Sequence, residues 1–309
     1  MKRQAIIFII ALLATVGLGA QDAVKSPFVE AFSACNLSVD LQGGIGSLLI
    51  DNQSNGSDKT GTDFGAAVGF TYMFDQMSGI HTGLGITFVH SGYKSETVST
   101  SYREQDIVLH DETGDYTGTA LVSTTTHRVD ETYTSAILSL PIQYAFRYNG
   151  FWVNAGMRLS LPLSINASYT YGYSTAAITY FDLPDVSFVT NPVPYQDLDE
   201  ETQSGTYKAH NTSLFVDLSL EAGYRFVLNP VKNLSLYVGL YFDYALNRFG
   251  GDKEQGFLTF DGTDEDAVAK FNGALNSSVV NGYGRMAAGL KVSLNFGLGR
   301  KAAADPMAM

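Results

Sequence analysis

The sequence is poor in charged residues, in tryptophan and in cysteine. Charged residues make up 16% of the 309 positions, against about 25% in a typical soluble globular protein. The single cysteine, Cys35, excludes an internal disulfide framework and a cysteine-based zinc cluster. The net charge of −12 argues against nucleic-acid binding, which needs a basic face. The 45% hydrophobic content and the lack of a fibrous repeat exclude a disordered, collagen-like or coiled-coil chain.

One segment near the N terminus has the layout of a targeting signal. Lys2 and Arg3 precede an apolar stretch over residues 5–18, and small residues follow up to Ala20. This order is typical of a secretory signal peptide, and the stretch is shorter than the ~20 residues of a transmembrane helix. A retained anchor is the alternative. We predict a cleaved signal peptide over 1–20, a periplasmic segment over 21–34, a β domain over 35–298 and a periplasmic tail over 299–309.

Eight segments of the remaining chain alternate apolar and polar residues with a period of two. Over residues 290–296, for example, Leu, Val, Leu and Phe alternate with Lys291, Ser293 and Asn295. Such alternation predicts strands with one apolar and one polar face. Most segments reach the ~9–11 residues that a tilted strand needs to cross a bilayer, and a soluble β-sandwich is the alternative. The predicted strands cover residues 37–45, 64–74, 80–88, 136–146, 151–163, 214–226, 234–244 and 290–296.

Short and long connections between these strands alternate along the chain. The short ones lie around 75–78, at Asn149-Gly150 and around Asn229-Pro230, and Asn-Gly is a strong hairpin signal. The long ones cover 51–61, 92–131, 172–211 and 249–281. Outer-membrane barrels have this connectivity, with short periplasmic turns and long external loops. We therefore predict an all-β fold, a transmembrane up-and-down antiparallel β-barrel of about eight strands, whose 92–131 and 172–211 hairpins continue above the membrane as an exposed β ridge.

Charge is segregated into the long connections. The four together carry a net charge of about −15, so the predicted wall and tails are close to neutral. Removing a charge from water is costly, so this segregation favours a wall embedded in lipid and long acidic extracellular loops.

Aromatic residues cluster beside the short turns, in the outward phase of the predicted strands. Such rings form girdles at the headgroup level of membrane barrels, although ordinary core packing is the alternative. The predicted girdle contains Tyr72, Phe74, Tyr144, Phe146, Phe151, Tyr224, Phe226 and Phe296. A second belt at the other end would contain Phe64, Phe88, Tyr169, Phe242 and Tyr244.

The inward phase carries charges of both signs. An eight-stranded barrel is just wide enough for side chains to fill it, and a buried charge needs a partner. The balance of five acids and five bases therefore favours a sealed lumen of paired charges over a conducting one. The predicted interior network contains Asp40, Asp63, Arg147, Arg158, Asp217, Glu221, Arg225, Asp243, Arg285 and Lys291.

Several short motifs carry a family resemblance. These are Leu-Ser-Leu-Pro-Ile-Gln-Tyr over 138–144, the Asn149-Gly150 turn, Trp-Val-Asn-Ala-Gly over 152–156 and Gly-Leu-Lys-Val-Ser-Leu-Asn-Phe over 289–296. The chain resembles small bacterial outer-membrane β-barrels of the OmpA/OmpX type, and is similar to the outer-membrane β-barrel family of Bacteroides-like bacteria. The resemblance implies an outer-membrane location and contact with membrane lipids and lipopolysaccharide. It also implies that the barrel assembly machinery recognises the last strand, although here the chain continues to Met309.

No catalytic or metal site stands out, and we predict no cofactor. His90 and Ser91 follow the predicted strand 80–88, and His127 and Asp130 precede the neighbouring strand 136–146, so a cluster at the rim is geometrically possible. His81 is predicted to be a hydrogen-bonded core residue. The acidic run over 261–266 lacks the ligand spacing of a calcium loop. We predict instead that Thr263 starts a short helix with Val268, Phe271 and Leu275 on one face, lying over the barrel mouth.

Three classes of function remain open. The first is a structural or adhesive barrel, a membrane anchor whose loops bind an unknown external partner. The second is a small channel or an accessory part of a transport or secretion system, and the third is a lipid-modifying enzyme. We favour the first, a protein that is not an enzyme.

Overall fold

The computed structural model describes nine stretches of the chain. They cover residues 33–52, 56–111, 114–172, 174–180, 203–210, 213–229, 232–250, 254–261 and 268–298. The predicted signal peptide, residues 21–32 of the predicted periplasmic segment, the tail over 299–309 and residues 262–267, which contain three of the acids in the acidic run, lie outside them. None of the helical segments among the described residues could span a bilayer.

The described residues form twelve strands and a single 3₁₀ turn over Ala274–Asn276. The strands are β1 (Cys35–Asn52), β2 (Ser57–Met73), β3 (Ser78–Asp111), β4 (Gly114–Tyr148), β5 (Phe151–Tyr171), β6 (Ser174–Tyr180), β7 (Gln203–Lys208), β8 (Phe215–Asn229), β9 (Leu234–Ala245), β10 (Leu258–Asp261), β11 (Val268–Phe271) and β12 (Val280–Leu298).

Eight of these strands close into a ring. Each pairs with its neighbours in the order β4-β3-β2-β1-β12-β9-β8-β5, and a β4–β5 pairing completes the circle. All pairings are antiparallel, and Cys35 of the first strand lies opposite Leu298 of the last. The predicted all-β, up-and-down antiparallel barrel of eight strands is therefore confirmed.

Tight turns join strands at one end, and β3 and β4 extend far beyond the other. Between β4 and β5, Asn149 and Gly150 both have positive φ, at 46° and 84°, as a two-residue hairpin requires. β3 and β4 are 34 and 35 residues long and stay paired from the Ser78 end to the Asp111–Gly114 end. β6 pairs with β4 at 120–126, and β7 pairs with β5 at 166–171. The predicted continuation of both hairpins as β structure is confirmed for these residues.

The wall reverses its polarity part of the way up. In the lower wall the outward side chains are apolar and exposed, as with Leu41 at 53%, Phe64 at 60% and Leu290 at 61%. Higher up, the inward side chains are apolar, and Tyr93 and Tyr133 are fully buried. We call the outward apolar surface of the lower wall the apolar belt.

A bulge in β5 changes which residues face inward. Ala136 pairs with Ser164 and Ile137 with Pro162, so one residue of β5 is skipped. Above it, Ile165, Ala167 and Tyr171 are buried. Tyr169 shares their phase and packs inside, so its predicted place in an outward belt is wrong.

The last long connection folds into the mouth of the barrel. β10 pairs with β11 and the 3₁₀ turn follows; we call these three elements the mouth plug. The predicted helix from Thr263 is wrong for its described part, because Val268–Phe271 is a strand.

Candidate functional site

The lower interior of the barrel is a layer of buried charges. Arg158 of β5 lies at its centre, with Nη2 2.9 Å from Glu221 Oε1 and Nη1 2.8 Å from Asp243 Oδ2. Alternation places these side chains inside, because their neighbours along each strand belong to the apolar belt. The charged layer consists of Asp40, Asp63, Arg158, Asp217, Glu221, Asp243, Arg285 and Lys291, each at most 5% exposed.

Arg285 of β12 joins the upper carboxylates of this layer. Its Nη2 lies 2.9 Å from Asp63 Oδ2 and 3.7 Å from Asp243 Oδ2, and its Nη1 lies 3.3 Å from Asp217 Oδ2. Lys291, six residues further along β12, lies 2.8 Å from Glu221 and 3.2 Å from Asp40. The cations thus bridge strands from opposite sides of the ring.

Hydroxyl groups complete the coordination of the carboxylates. The layer holds five carboxylates against three cations, so ion pairing alone leaves an excess of negative charge. Tyr241 donates to Asp63, Ser160 to Asp217 and Ser219 to Asp243, each at 2.6 Å, and Ser293 donates to Asp40. Hydrogen bonds to ionised oxygens are stronger than neutral ones, which offsets part of the burial cost.

The other two members of the predicted network lie near the short turns. Arg147 and Arg225 are half-buried, and the Arg147 guanidinium lies 5.1 Å from the centre of the Tyr237 ring. His81 lies in the interior with Nδ1 2.9 Å from Thr71 Oγ1. It is 3% exposed, in agreement with a hydrogen-bonded core residue.

Little space is left within the charged layer. Two cavities of about 20 Å³ lie there, one against Gln42 and Arg158 and the other against Trp152 and Asn154. Each has room for about one water molecule. The side chains of the described wall therefore fill the lumen at this height.

Above the charged layer, the mouth plug builds an apolar core. Phe257, Leu258, Ala274 and Leu275 are fully buried in it. Phe271 stacks on Tyr169 with ring centres 3.6 Å apart. The wall contributes buried residues from several strands, namely Leu48, Tyr93, Val129, Ile165, Phe215 and Tyr283.

Glu131 of β4 fastens the mouth plug to the wall. Its Oε2 accepts hydrogen bonds from the hydroxyls of Tyr133 and Tyr207, each at 2.6 Å, and its Oε1 accepts one from the Ala274 N–H at 3.0 Å. The side chain is fully buried, and all three donors are neutral. Burial raises the pKa of Glu131, against the effect of these hydrogen bonds. Glu131 falls at the end of the connection 92–131, which the sequence predicts to be an acidic external loop, so its buried role was not predicted.

The predicted girdle residues lie on the outer face beside the short turns. Phe74 and Tyr144 are more than half exposed, at 57% and 51%. Edge-to-face contacts join Tyr72 with Phe74, Phe151 with Tyr224 and Tyr224 with Phe226, at 5.7, 5.5 and 5.2 Å. Phe146 and Phe296 occupy the same outward phase.

The hypothetical histidine cluster at the rim does not assemble. His90 pairs with Thr134, whereas His127 pairs with Thr97, seven residues further along β3. At ~3.4 Å per residue the two histidines are about 24 Å apart. Ser91 is buried on the other face of β3, and Asp130 forms an ion pair with Lys59. The described residues contain no group of three or more His, Cys, Asp or Glu side chains placed to hold a metal ion.

Comparison with known proteins gives only remote likenesses. No protein-family model matches the chain, and no curated protein matches it. Among solved structures it is similar to Ail, the attachment invasion locus protein of Yersinia pestis, at 11% identity over 87% of this chain and 100% of that one, with a TM-score of 0.28. The translocator domain of the autotransporter NalP from Neisseria meningitidis matches at 10% identity over 96% of both chains, with a TM-score of 0.20. TM-scores this low support no structural assignment, so the fold rests on the strand pairing. The resemblance to the Bacteroides-type family stays a prediction.

Proposed function

We propose that the protein is an integral barrel of a bacterial outer membrane that anchors a rigid external β structure for adhesion or partner binding. The observation that carries this proposal is the polarity of the lower wall. It exposes apolar side chains and buries charged ones, which is the opposite of the arrangement in a soluble protein. Soluble monomers rarely expose a continuous apolar patch above a few hundred Å². A belt of apolar side chains around a whole barrel needs hydrocarbon as its solvent.

The height of the apolar belt supports a bilayer as that solvent. On β4 the belt runs from Ala136 to Phe146, which is ten residue steps. At ~3.4 Å per step this is about 34 Å along the strand. With a strand tilt of ~40° the belt is about 26 Å tall, close to the ~25 Å apolar band of outer-membrane barrels.

A structural lumen fits this function better than a conducting one. The charged layer spans the lumen from β5 to β12 through Arg158, Glu221 and Lys291. The mouth plug covers it from above with a fully buried 3₁₀ turn. An ion crossing the barrel would have to break these contacts, each of which replaces water around a buried charge.

The long β3–β4 hairpin supports a role in binding. Hydroxyl pairs stiffen its outward face, with Ser99 3.1 Å from Thr125 and Ser101 2.9 Å from Ser123. These groups are exposed, at least in part, and held in register by the ladder. A pre-ordered surface loses little conformational entropy when it binds a partner.

Cysteine labelling tests the location and orientation together. In a Cys35→Ser background, we expect a water-soluble maleimide to label Ser101→Cys on intact cells. Gln76→Cys in the β2–β3 turn should react only after lysis, and Leu41→Cys in the apolar belt should stay unreactive in membranes. Folded protein should be found in the outer-membrane fraction with heat-dependent gel mobility. Recovery of the folded protein in a soluble fraction, or labelling of Leu41→Cys as fast as Ser101→Cys, would overturn the proposal.

A further inference from the structure

A polar groove opens on the outer face of the wall where β5 leaves β8 and pairs with β7. β5 pairs with β8 up to Ser160 and with β7 from Asn166 onwards. The groove has a volume of about 510 Å³. Its polar outward side chains come from three strands: Thr132 and Thr134 of β4, Asn166 and Ser168 of β5, and Thr206 and Lys208 of β7.

Strand register arranges these side chains in two rows of three. Thr134, Asn166 and Lys208 are direct cross-strand partners and form the lower row. Thr132, Ser168 and Thr206 form the upper row in the same way. Directly paired residues on one face are about 5 Å apart, so the groove presents a regular patch of hydrogen-bonding groups about three strands wide.

The chemistry of the groove fits an anionic saccharide. The two rows offer four hydroxyls and one carboxamide, which can donate to and accept from sugar hydroxyls. No carboxylate occurs among the described residues that line the groove. Lys208 is exposed, and its ammonium forms no ion pair with any described residue, so it is available to an anion such as a phosphate.

The height of the groove identifies the source of that saccharide. Directly below the lower row lie Ala136 of β4 and Leu163 of β5, and Leu163 is 56% exposed in the apolar belt. The groove therefore begins where the belt ends. In a bilayer this is the headgroup level, where a lysine can keep its ammonium in water while its methylene stem lies over apolar surface.

We propose that this groove binds the phosphorylated sugar headgroup of an outer-leaflet glycolipid, with the Lys208 ammonium on the phosphate and the two rows on the sugar. The proposal rests on the membrane location proposed above. The proposed lipid is bound at one specific place on the wall. This binding differs from the general contact between the apolar belt and the acyl chains of the bilayer.

Native mass spectrometry of the folded protein in neutral detergent tests this assignment. The probes are lipid A, a diphosphorylated diglucosamine lipid, and the same lipid after removal of its phosphates. We expect Lys208→Gln to weaken lipid A binding about tenfold, the effect of losing one charge-assisted hydrogen bond. The dephosphorylated lipid should bind to wild type and Lys208→Gln equally. The matched control is Lys94→Gln, an exposed lysine on β3 outside the groove, which should bind lipid A as wild type does.

Three results would overturn the assignment. Equal weakening by Lys208→Gln and Lys94→Gln would mean diffuse charge attraction. Binding of free glucosamine 1-phosphate as tight as that of lipid A would mean a site for soluble saccharides. Absence of lipid A binding by protein that still shows heat-dependent mobility would refute the groove and leave the proposed function standing. Failure of the protein to reach the outer membrane would instead refute the proposed function.

Discussion

Replacing Arg285 with methionine should cost more stability than any single change to a surface ion pair. Arg285 lies within 2.9 to 3.7 Å of Asp63, Asp217 and Asp243, and all four side chains are fully buried. Methionine fills much of the same volume but carries no charge. Asp243 keeps Arg158 as a partner at 2.8 Å. Asp63 keeps only neutral donors among the described residues, Gln42 and Tyr241.

The expected loss of folding free energy follows from these contacts. Removing one partner of a buried ion pair costs about 3–5 kcal/mol, because an uncompensated charge remains. The folding equilibrium would thus change by roughly two to four orders of magnitude. The matched control is Arg248→Met, which breaks a 3.2 Å pair with Asp51 whose side chains are 33% and 53% exposed. Exposed pairs contribute about 0–1 kcal/mol.

Urea unfolding in phospholipid vesicles would measure both variants. The chain has one tryptophan, and Trp152 is buried in the barrel, so its fluorescence reports loss of the barrel. Adding Asp63→Asn to Arg285→Met should recover about 1–2 kcal/mol, because it removes a carboxylate that has lost its cation. Equal losses for Arg285→Met and Arg248→Met, or no recovery in the double variant, would refute the account of the charged layer.

Two further predictions concern the interior. Burial raises the pKa of Glu131 above its ordinary value of 4.5, so the folded protein holds this proton more tightly than the unfolded chain. The ionisation of Glu131 therefore makes the free energy of unfolding fall as the pH rises from about 4.5 through the raised pKa. Glu131→Gln should flatten this part of the urea-midpoint profile, and Glu96→Gln, exposed on the same hairpin, should not; a Glu131→Gln profile parallel to wild type would contradict the buried-carboxyl account. In planar bilayers we expect the wild-type protein to give no steady single-channel steps, and regular steps from folded protein would show that the charged layer does not seal the lumen.

Period-two alternation predicts the barrel well because hydrocarbon and the lumen impose opposite demands on the two faces of one strand. Wherever the belt surrounds the wall, a residue's parity determines its side, as for Asp40 beside Val39 and Leu41. The prediction fails where parity changes locally. The bulge near Leu163 inserts one residue into β5, while Leu159, Leu161 and Leu163 continue the period-two alternation into it. Pro162 is the local signal of this bulge, because proline cannot donate a hydrogen bond to the ladder, but alternation alone does not show the change of phase. Tyr169 was misplaced for this reason.

The strand in the mouth plug was predicted as a helix because the residues that it contacts are distant in sequence. Val268, Phe271 and Leu275 have the spacing of one helical face. Phe271 instead belongs to a strand and stacks on Tyr169, about a hundred residues earlier. The burial of Glu131, at the end of the predicted external connection 92–131, likewise depends on Tyr207 and the Ala274 N–H. A single-sequence pattern contains local periodicity and does not contain contacts of this range.

The reversal of polarity along the wall is the step that links the belt, the plug and the groove. Where the outside is apolar, charged side chains in the interior are stable only if they pair, which accounts for the layer around Arg158 and Arg285. Where the outside becomes polar, at His90 on β3 and Thr134 on β4, the inside becomes apolar and needs a filling, which the plug supplies. One physical boundary therefore fixes three features at once: the upper edge of the belt, the height at which charges give way to the apolar core, and the level at which the polar rows of the groove begin. A boundary set by lipid accounts for all three features together, because the edge of the hydrocarbon determines at each height whether the outside of the wall is apolar or polar.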